Sequence, residues 1–291
     1  LRQDAVAQGI SATLFDQAMQ GVEPNPRIIA LDRKQPESRL TLEQYVRNTV
    51  TEGRVAQGRR LYQQHRALLD AIGVKYGVQP RFIVALWGME TSYGQNTGGF
   101  GVIGALATLA YDGRRSDYFR GELLKAMRIV QEGHISLAAM KGSWAGAMGQ
   151  CQFMPTSFFN YAVDYNGDGH KDIWNTQGDV FASIANYLSS VGWNSNLNWG
   201  REVRIPSGFD RMLADTKVIK TIEEWAAMGV LRVDGMPLPV VEYGKTPASI
   251  VFPGNGARAF IIYDNYRTIL DWNRSTYFAT AVGMLADRIG N

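Results

Sequence analysis

The sequence predicts a predominantly helical α+β protein with a small β-rich insertion, and three observations predict it. Apolar residues recur at helical spacing through the first 78 positions and again in segments up to about residue 200. After Gly200 the texture changes to short β-branched and aromatic runs bounded by Gly, Pro and Asn. The tail, "STYFATAVGMLADRI", then returns to helical periodicity. The expected organisation is an N-terminal helical domain over 1–78, a compact helical core over 79–200, a β-rich subdomain over 201–268, and a C-terminal helix over 269–291 that completes the core.

Taken in order, "ISATLFDQAM" offers Ser11 as the cap of a first helix. "GVEPNPRIIALDRKQPESR" carries several prolines and is expected to be extended. "RLTLEQYVRNTVTEGRVAQGRRLYQQHRALLDAIGVKYG" has apolar residues at helical spacing. Pro80 suits the first turn of the next helix, "RFIVALWGMETSY", which runs until Gly94 can stop it. "DYFRGELLKAMRIVQEG" and "DVFASIANYLSSVG" read as helices closed by Gly133 and Gly192. The β-rich part comprises "REVRIP", "LPVVEYG", "ASIVFPG" and "ARAFIIYD", interrupted by a helix at "TIEEWAAMG", where Thr221 and Glu224 stand at capping-box spacing.

Composition excludes several function classes. The chain has 291 residues, 45% of them apolar and 20% charged, with a net charge of +3. That charge is too mild to call for nucleic acid and only weakly suits an anionic polymer. No apolar run approaches the roughly 20 residues of a membrane-spanning helix. The sequence opens at Leu1 with no basic start and apolar stretch, so an export signal is either removed or omitted. A single cysteine, Cys151, excludes an internal disulfide, and its neutral neighbours suggest a buried thiol. With only His65, His134 and His170, the chain has no H-E-x-x-H; it also lacks G-x-S-x-G and a phosphate-binding G-x-x-x-x-G-K. "GFGVIG" matches G-x-G-x-x-G, but it follows a helix and a polar loop where a dinucleotide site needs a strand.

Three stretches carry chemistry. Glu90 lies in "ALWGMETSYG", on a helix face with Leu86, Trp87 and Tyr93, in the last turn before Gly94. Apolar neighbours and the helix dipole both disfavour its charged form, which suits a general acid. The plainer alternative is a Glu that is exposed or paired with an arginine such as Arg115. "GSWAGAMGQCQFMPTSF" mixes glycines, neutral hydrogen-bonding groups and aromatic faces, a combination that suits sugars; an ordinary loop with inward aromatics is the alternative. "DYNGDGHKDIWN" places Asp164, Asn166 and Asp168 at alternating positions and Gly169 sixth, like the opening of an EF-hand loop. Asn175 replaces the bidentate Glu at position 12, and Asp179 could supply the missing carboxylate. A metal-free Asx-rich turn remains the alternative.

Glu90 in "ALWGMETSYG", followed in order by "SWAGAMGQCQFMP", "YNGDGHKDIWN" and "SIANYL", closely resembles the lytic transglycosylase B family. These are bacterial enzymes with a lysozyme-like core that cut peptidoglycan. The resemblance implies a catalytic acid at Glu90 within Gly88, Thr91, Tyr93 and Gly94, groove residues at Ser143 and Gln152, and a substrate-facing Tyr187. It also implies one calcium-like site (calcium or sodium) in the EF-hand-like loop, held by Asp164, Asn166, Asp168, the His170 backbone and Asp179. Near the C-terminus the family tends to read Y-N-x-S-x-x-Y. This chain reads "WNRSTYF", which keeps Asn273 and Ser275 and puts Trp272 and Phe278 at the tyrosine positions. Asn273 is carried over as a substrate-binding residue; Tyr277 is the nearby hydroxyl that could replace the missing ones.

The activity so implied breaks the β-1,4 bond between N-acetylmuramic acid and N-acetylglucosamine and leaves a 1,6-anhydro product. No cofactor is needed for the chemistry. The expected partner is the peptidoglycan glycan strand, the expected state a monomer, and the expected place the bacterial periplasm, free or lipid-anchored. A hydrolytic muramidase and a non-catalytic peptidoglycan-binding module are the alternatives.

Overall fold

The structure, a computed structural model, describes residues 1–34 and 40–290. Six short helices lead the chain: α1 (Arg2–Ala7), α2 (Ala12–Met19), α3 (Pro26–Arg33), α4 (Leu42–Thr49), α5 (Glu52–Gln64) and α6 (Arg66–Tyr76). There follow α7 (Pro80–Thr91), β1 (Phe100–Gly101), α8 (Val102–Tyr111), α9 (Ser116–Gln131), β2 (Lys141–Gly142), α10 (Pro155–Tyr161) and α11 (Gln177–Ser190). The remainder is β3 (Gly200–Arg204), β4 (Lys220–Thr221), α12 (Ile222–Ala227), β5 (Leu231–Arg232), α13 (Val240–Tyr243), β6 (Pro247–Val251), β7 (Ala259–Ile262), α14 (Asp264–Trp272) and α15 (Thr276–Gly290). Two compact units divide the chain: Leu1–Arg39 with Leu86–Tyr187, and Leu40–Ala85 with Leu188–Asn291.

The first unit is built on α8 and α9. The apolar stripe of α9, with Phe119, Leu123, Met127 and Ile129, is buried, and so is nearly all of the apolar α8. Packed against α9, α10 begins at Pro155, and the N–H of Thr156 donates to buried Glu122 at 2.8 Å, an acid at a helix N-terminus. In α3, Asp32 is buried and paired with Arg115 at 2.9 Å.

The second unit carries an antiparallel five-stranded sheet in the order β4-β6-β7-β3-β5. One sheet face closes over α12, where Trp225 is fully buried and donates its indole N–H to the Ala248 carbonyl at 3.0 Å. In the same unit α15 packs against α4, α5 and α14. A side chain at Gly283 would run into the Trp199 indole, so this close approach requires glycine there.

Most local signals hold. Ser11 accepts from the Leu14 N–H at 3.1 Å, and both halves of the Thr221–Glu224 capping box form. Gly133 and Gly192 take positive φ just beyond their helices. Two expectations fail. Part of the stretch expected to be extended forms α3, because Asn25 caps it through the Arg27 N–H at 3.0 Å and Pro26 fits its first turn. Positions 35–39 of that stretch lie outside the described residues. "LPVVEYG", read as a strand, forms the single-turn α13 with Val241 fully exposed, so its β-branched residues do not line a pleated face.

Candidate active site

The helix bearing Glu90 starts on Pro80 and buries Phe82 through Trp87. It ends at Thr91, three residues before Gly94. The chain then turns through three successive left-handed residues, Ser92 (φ 50°), Tyr93 (φ 62°) and Gly94 (φ 81°). Only the last is glycine; each of the others costs about 1–2 kcal/mol. The turn is held by Ser92 N–H to Gly88 O (3.0 Å), Tyr93 N–H to Trp87 O (3.2 Å) and Asn96 N–H to Thr91 O (2.9 Å). The Thr91 hydroxyl oxygen accepts from the Gly94 N–H at 3.0 Å. The Tyr93 ring folds back over the helix, edge-on to Trp87 with centroids 5.4 Å apart. A Cβ at Gly88 would lie 2.6 Å from that ring. Tyr93 therefore meets Trp87 as expected, but from a strained turn and not from the helix face. Glu90 itself is partly buried. Arg115, the candidate partner in the plainer reading, is spent on Asp32.

Gln150, read from the sequence only as one of the neutral hydrogen-bonding groups of the glycine-rich loop, braces this helix end. Its Oε1 accepts from the Trp87 indole N–H at 2.8 Å, and its Nε2 donates to the Trp174 carbonyl at 2.8 Å. Its backbone carbonyl accepts from the Thr91 hydroxyl at 3.1 Å, and its N–H donates to Ile173 O at 2.8 Å. A side chain at Gly94 would strike the Gln150 amide, so the glycine is needed for space as well as for its φ. The sequence signalled it only as a neutral amide in that loop, because its partners lie 63 and 24 positions away.

Gln152 and Ser143 belong to the same unit. Gln152 sits at φ 51° and donates Nε2 to Thr97 O (3.1 Å) and Gly149 O (3.0 Å). That leaves Oε1 as the acceptor it can offer a ligand. Ser143 Oγ accepts from the N–H groups of Ala145 (3.3 Å) and Ala147 (3.0 Å), which leaves its own proton to donate. Tyr187, on α11, is buried beside Tyr161 and Phe153, with centroids 4.4 and 6.0 Å away. Asn273 belongs to the second unit, where it is exposed and its Oδ1 accepts from the Ser275 N–H at 3.0 Å. Phe278 is buried there, and the Tyr277 hydroxyl donates to Leu40 O at 3.1 Å, so that hydroxyl is committed to holding the chain.

The EF-hand-like loop is tied by its own acids. Asp164 accepts from the N–H groups of Gly167 (2.7 Å), Asp168 (3.2 Å) and Gly169 (2.8 Å). Asp168 accepts from the His170 N–H at 2.8 Å and from the Asn166 amide at 2.9 Å. Asp179 is buried and latches the loop, taking the Tyr165 N–H at 2.9 Å and the Asp172 N–H at 2.8 Å. Burial pushes the Asp179 carboxyl above the usual range; these backbone bonds pull it down, and the Asp164 and Asp168 charges push it up again. The exposed Asn175 amide donates to Asp172 Oδ1 at 3.4 Å. Among the described residues no three Asp, Glu, His or Cys side chains converge as a metal cage. The donors are nonetheless all hard oxygens, a set that suits calcium.

Cys151 is fully buried, as expected of an inert thiol. Burial pushes its pKa well up, and the nearby charges of Glu90 and Asp179 add to that.

A helix-rich α+β chain with one acid on a strained helix end, a glycine-rich polar loop and an EF-hand-like loop is of the lysozyme-like class. The chain belongs to the transglycosylase SLT domain family, which matches residues 1–287. It is 32% identical over 251 residues to the membrane-bound lytic murein transglycosylase B of Escherichia coli strain K12, covering 84% of this chain and 66% of that protein. Its fold matches that of SltB3 from Pseudomonas aeruginosa in complex with NAG-anhNAM-pentapeptide, with a TM-score of 0.94 and 44% identity, over 100% of this chain and 77% of that one. It also matches the Escherichia coli lytic transglycosylase Slt35 in complex with calcium, with a TM-score of 0.83 and 28% identity, over 99% of this chain and 92% of that one. Among the described residues no helix is long and apolar enough to cross a membrane.

Proposed function

We propose that this chain is a lytic transglycosylase that cuts peptidoglycan between N-acetylmuramic acid and N-acetylglucosamine with Glu90 as its one acid and base. The observation that carries this reading is the placement of Glu90 on a helix end braced through Trp87 and Thr91 by Gln150, in a chain of the transglycosylase SLT family. Protonated Glu90 gives its proton to the bridging oxygen and the bond to C1 breaks. The substrate's own N-acetyl carbonyl steadies the oxocarbenium-like centre, a variant of the usual two-carboxylate scheme. Glu90, now ionised, takes the proton of the muramoyl C6 hydroxyl, whose oxygen bonds to C1. No water is consumed, and Glu90 ends protonated.

Gln152 Oε1 and the Ser143 hydroxyl proton are the unspent groups that orient the sugar; Tyr187 and Asn273 complete the set of substrate residues. The loop residues Asp164, Asn166, Asp168, His170 (through its carbonyl) and Asp179 hold a calcium ion, which stiffens the loop that receives the Gln150 amide. The enzyme works in the bacterial periplasm on glycan strands, as a monomer. Digestion of purified sacculi followed by mass analysis tests the reaction. Muropeptides lighter by one water than hydrolysis products are expected; reducing ends alone would make the protein a muramidase, and an unchanged wall would leave it a binding module.

A further inference from the structure

Thr91 directly follows Glu90 and is almost wholly buried. The helix does not run on beyond it, because Ser92 and Tyr93 both take left-handed φ, a conformation uphill for residues that carry a side chain. Such residues persist only where their surroundings over-determine them. The Thr91 hydroxyl meets all three pieces of chain that converge here. It lies 3.3 Å from the Trp87 carbonyl one turn back and 3.1 Å from the Gln150 carbonyl in the glycine-rich loop, and it accepts the Gly94 N–H at 3.0 Å. The contact with Trp87 is a back-bond to residue i−4, the kind that bends a helix. The Thr91 backbone carbonyl takes the Asn96 N–H at 2.9 Å, beyond the turn. Gln150 is a firm anchor, since its own N–H is bonded to Ile173 O at 2.8 Å. One buried hydroxyl thus ties helix, turn and loop together.

A general acid must come within hydrogen-bond reach of the atom it protonates, and a misplacement of about 1 Å costs on the order of a hundredfold in rate. Glu90 sits one residue before this knot, so the freedom of its backbone is the freedom of the helix end. We infer that Thr91 is a positioning residue for the reaction. Too buried to touch substrate, its hydroxyl holds the helix end from which the Glu90 carboxyl reaches the bridging oxygen. The inference rests on the reading of Glu90 as the acid and adds which neighbour aims it. A methyl in place of the hydroxyl keeps the volume, takes the acceptor from the Gly94 N–H, and lets the left-handed turn relax. The acid then loses its direction, while Gln152 and Ser143 keep their own bonds to the loop.

Steady-state turnover of solubilised glycan strands by Thr91→Val and Thr91→Ser tests the inference, with anhydro-muropeptides as the measured product. Thr91→Val should lower kcat about ten- to a hundredfold and leave KM within about twofold, assayed well below the variant's melting temperature. Thr91→Ser keeps the hydroxyl and loses only a methyl, so it should recover most of that kcat. Thr91→Ala leaves room for a water to take over part of the bonding, so it serves if Thr91→Val fails to fold, and its kcat should fall about tenfold. An unchanged kcat without the hydroxyl, an equal loss in Thr91→Ser and Thr91→Val, or a loss carried by KM overturns the inference. Glu90→Gln runs alongside. An inactive Glu90→Gln beside a Thr91→Val with wild-type kcat rejects the positioning role alone, whereas turnover retained by Glu90→Gln rejects the proposed reaction itself.

Discussion

Glu90 shows what a single residue can and cannot announce. Its apolar helical setting was legible, because Leu86 and Trp87 recur at helical spacing and are buried. The position of Tyr93 was not, because it depends on a left-handed turn closed by backbone bonds to Trp87 and Gly88. Glu90→Gln keeps the shape and removes the transferable proton. Release of anhydro-muropeptides should fall about a hundred- to ten-thousandfold, the usual worth of a general acid. Binding to sacculi and the melting temperature should stay near wild type. Turnover retained in this variant would hand the acid's role to another carboxylate.

Among elements, the helix end and the acidic loop are joined through Gln150, which bonds the Trp87 indole on one side and the Trp174 carbonyl on the other. Gln150→Ala removes one hydrogen bond from each of these groups, so urea unfolding should report a loss of about 2–4 kcal/mol. Because the helix end carrying Glu90 loosens, kcat should fall further than KM rises. The loop makes a separate prediction. Calcium that binds only the folded loop raises the melting temperature, by about 2.7 kcal/mol of stability at a hundred times Kd. Asp168→Asn should shrink that rise, and a melting curve indifferent to both chelator and millimolar calcium would remove the ion from the account. The loop's opening was legible from its Asp-x-Asn-x-Asp-Gly spacing. Its latch was suggested only by the nearness of Asp179, since the role depends on bonds back to Tyr165 and Asp172.

For the whole molecule, stability at high pH tests how the second unit is closed. Tyr266 joins α14 to α15 through Thr276 O at 3.0 Å and Thr280 Oγ1 at 3.1 Å, and burial pushes its phenol up to about 12. Between the unfolded value near 10 and the folded value, the native state keeps a proton that the unfolded chain has lost. Its contribution is therefore full below pH 10 and is lost as pH rises toward 12, by up to about 1.4 kcal/mol per pH unit. Tyr266→Phe should flatten that part of the profile, measured as urea stability at pH 9 and pH 11. An identical slope in the variant would place the alkaline loss elsewhere.

The sequence by itself determined the helix periods, the caps at Ser11 and Thr221, the glycine stops at Gly133 and Gly192, and the order of the three motifs that carry the chemistry. All of these are set within a few residues by backbone geometry and side-chain spacing. Tertiary structure alone decided the bond between Gln150 and Trp87, 63 positions apart, and the burial of Asp32 between arginines. It also decided that Val240–Tyr243 is a helix and that the chain divides into two interleaved units. Contacts between distant segments carry no local period, so they become visible only once the backbone has brought those segments together.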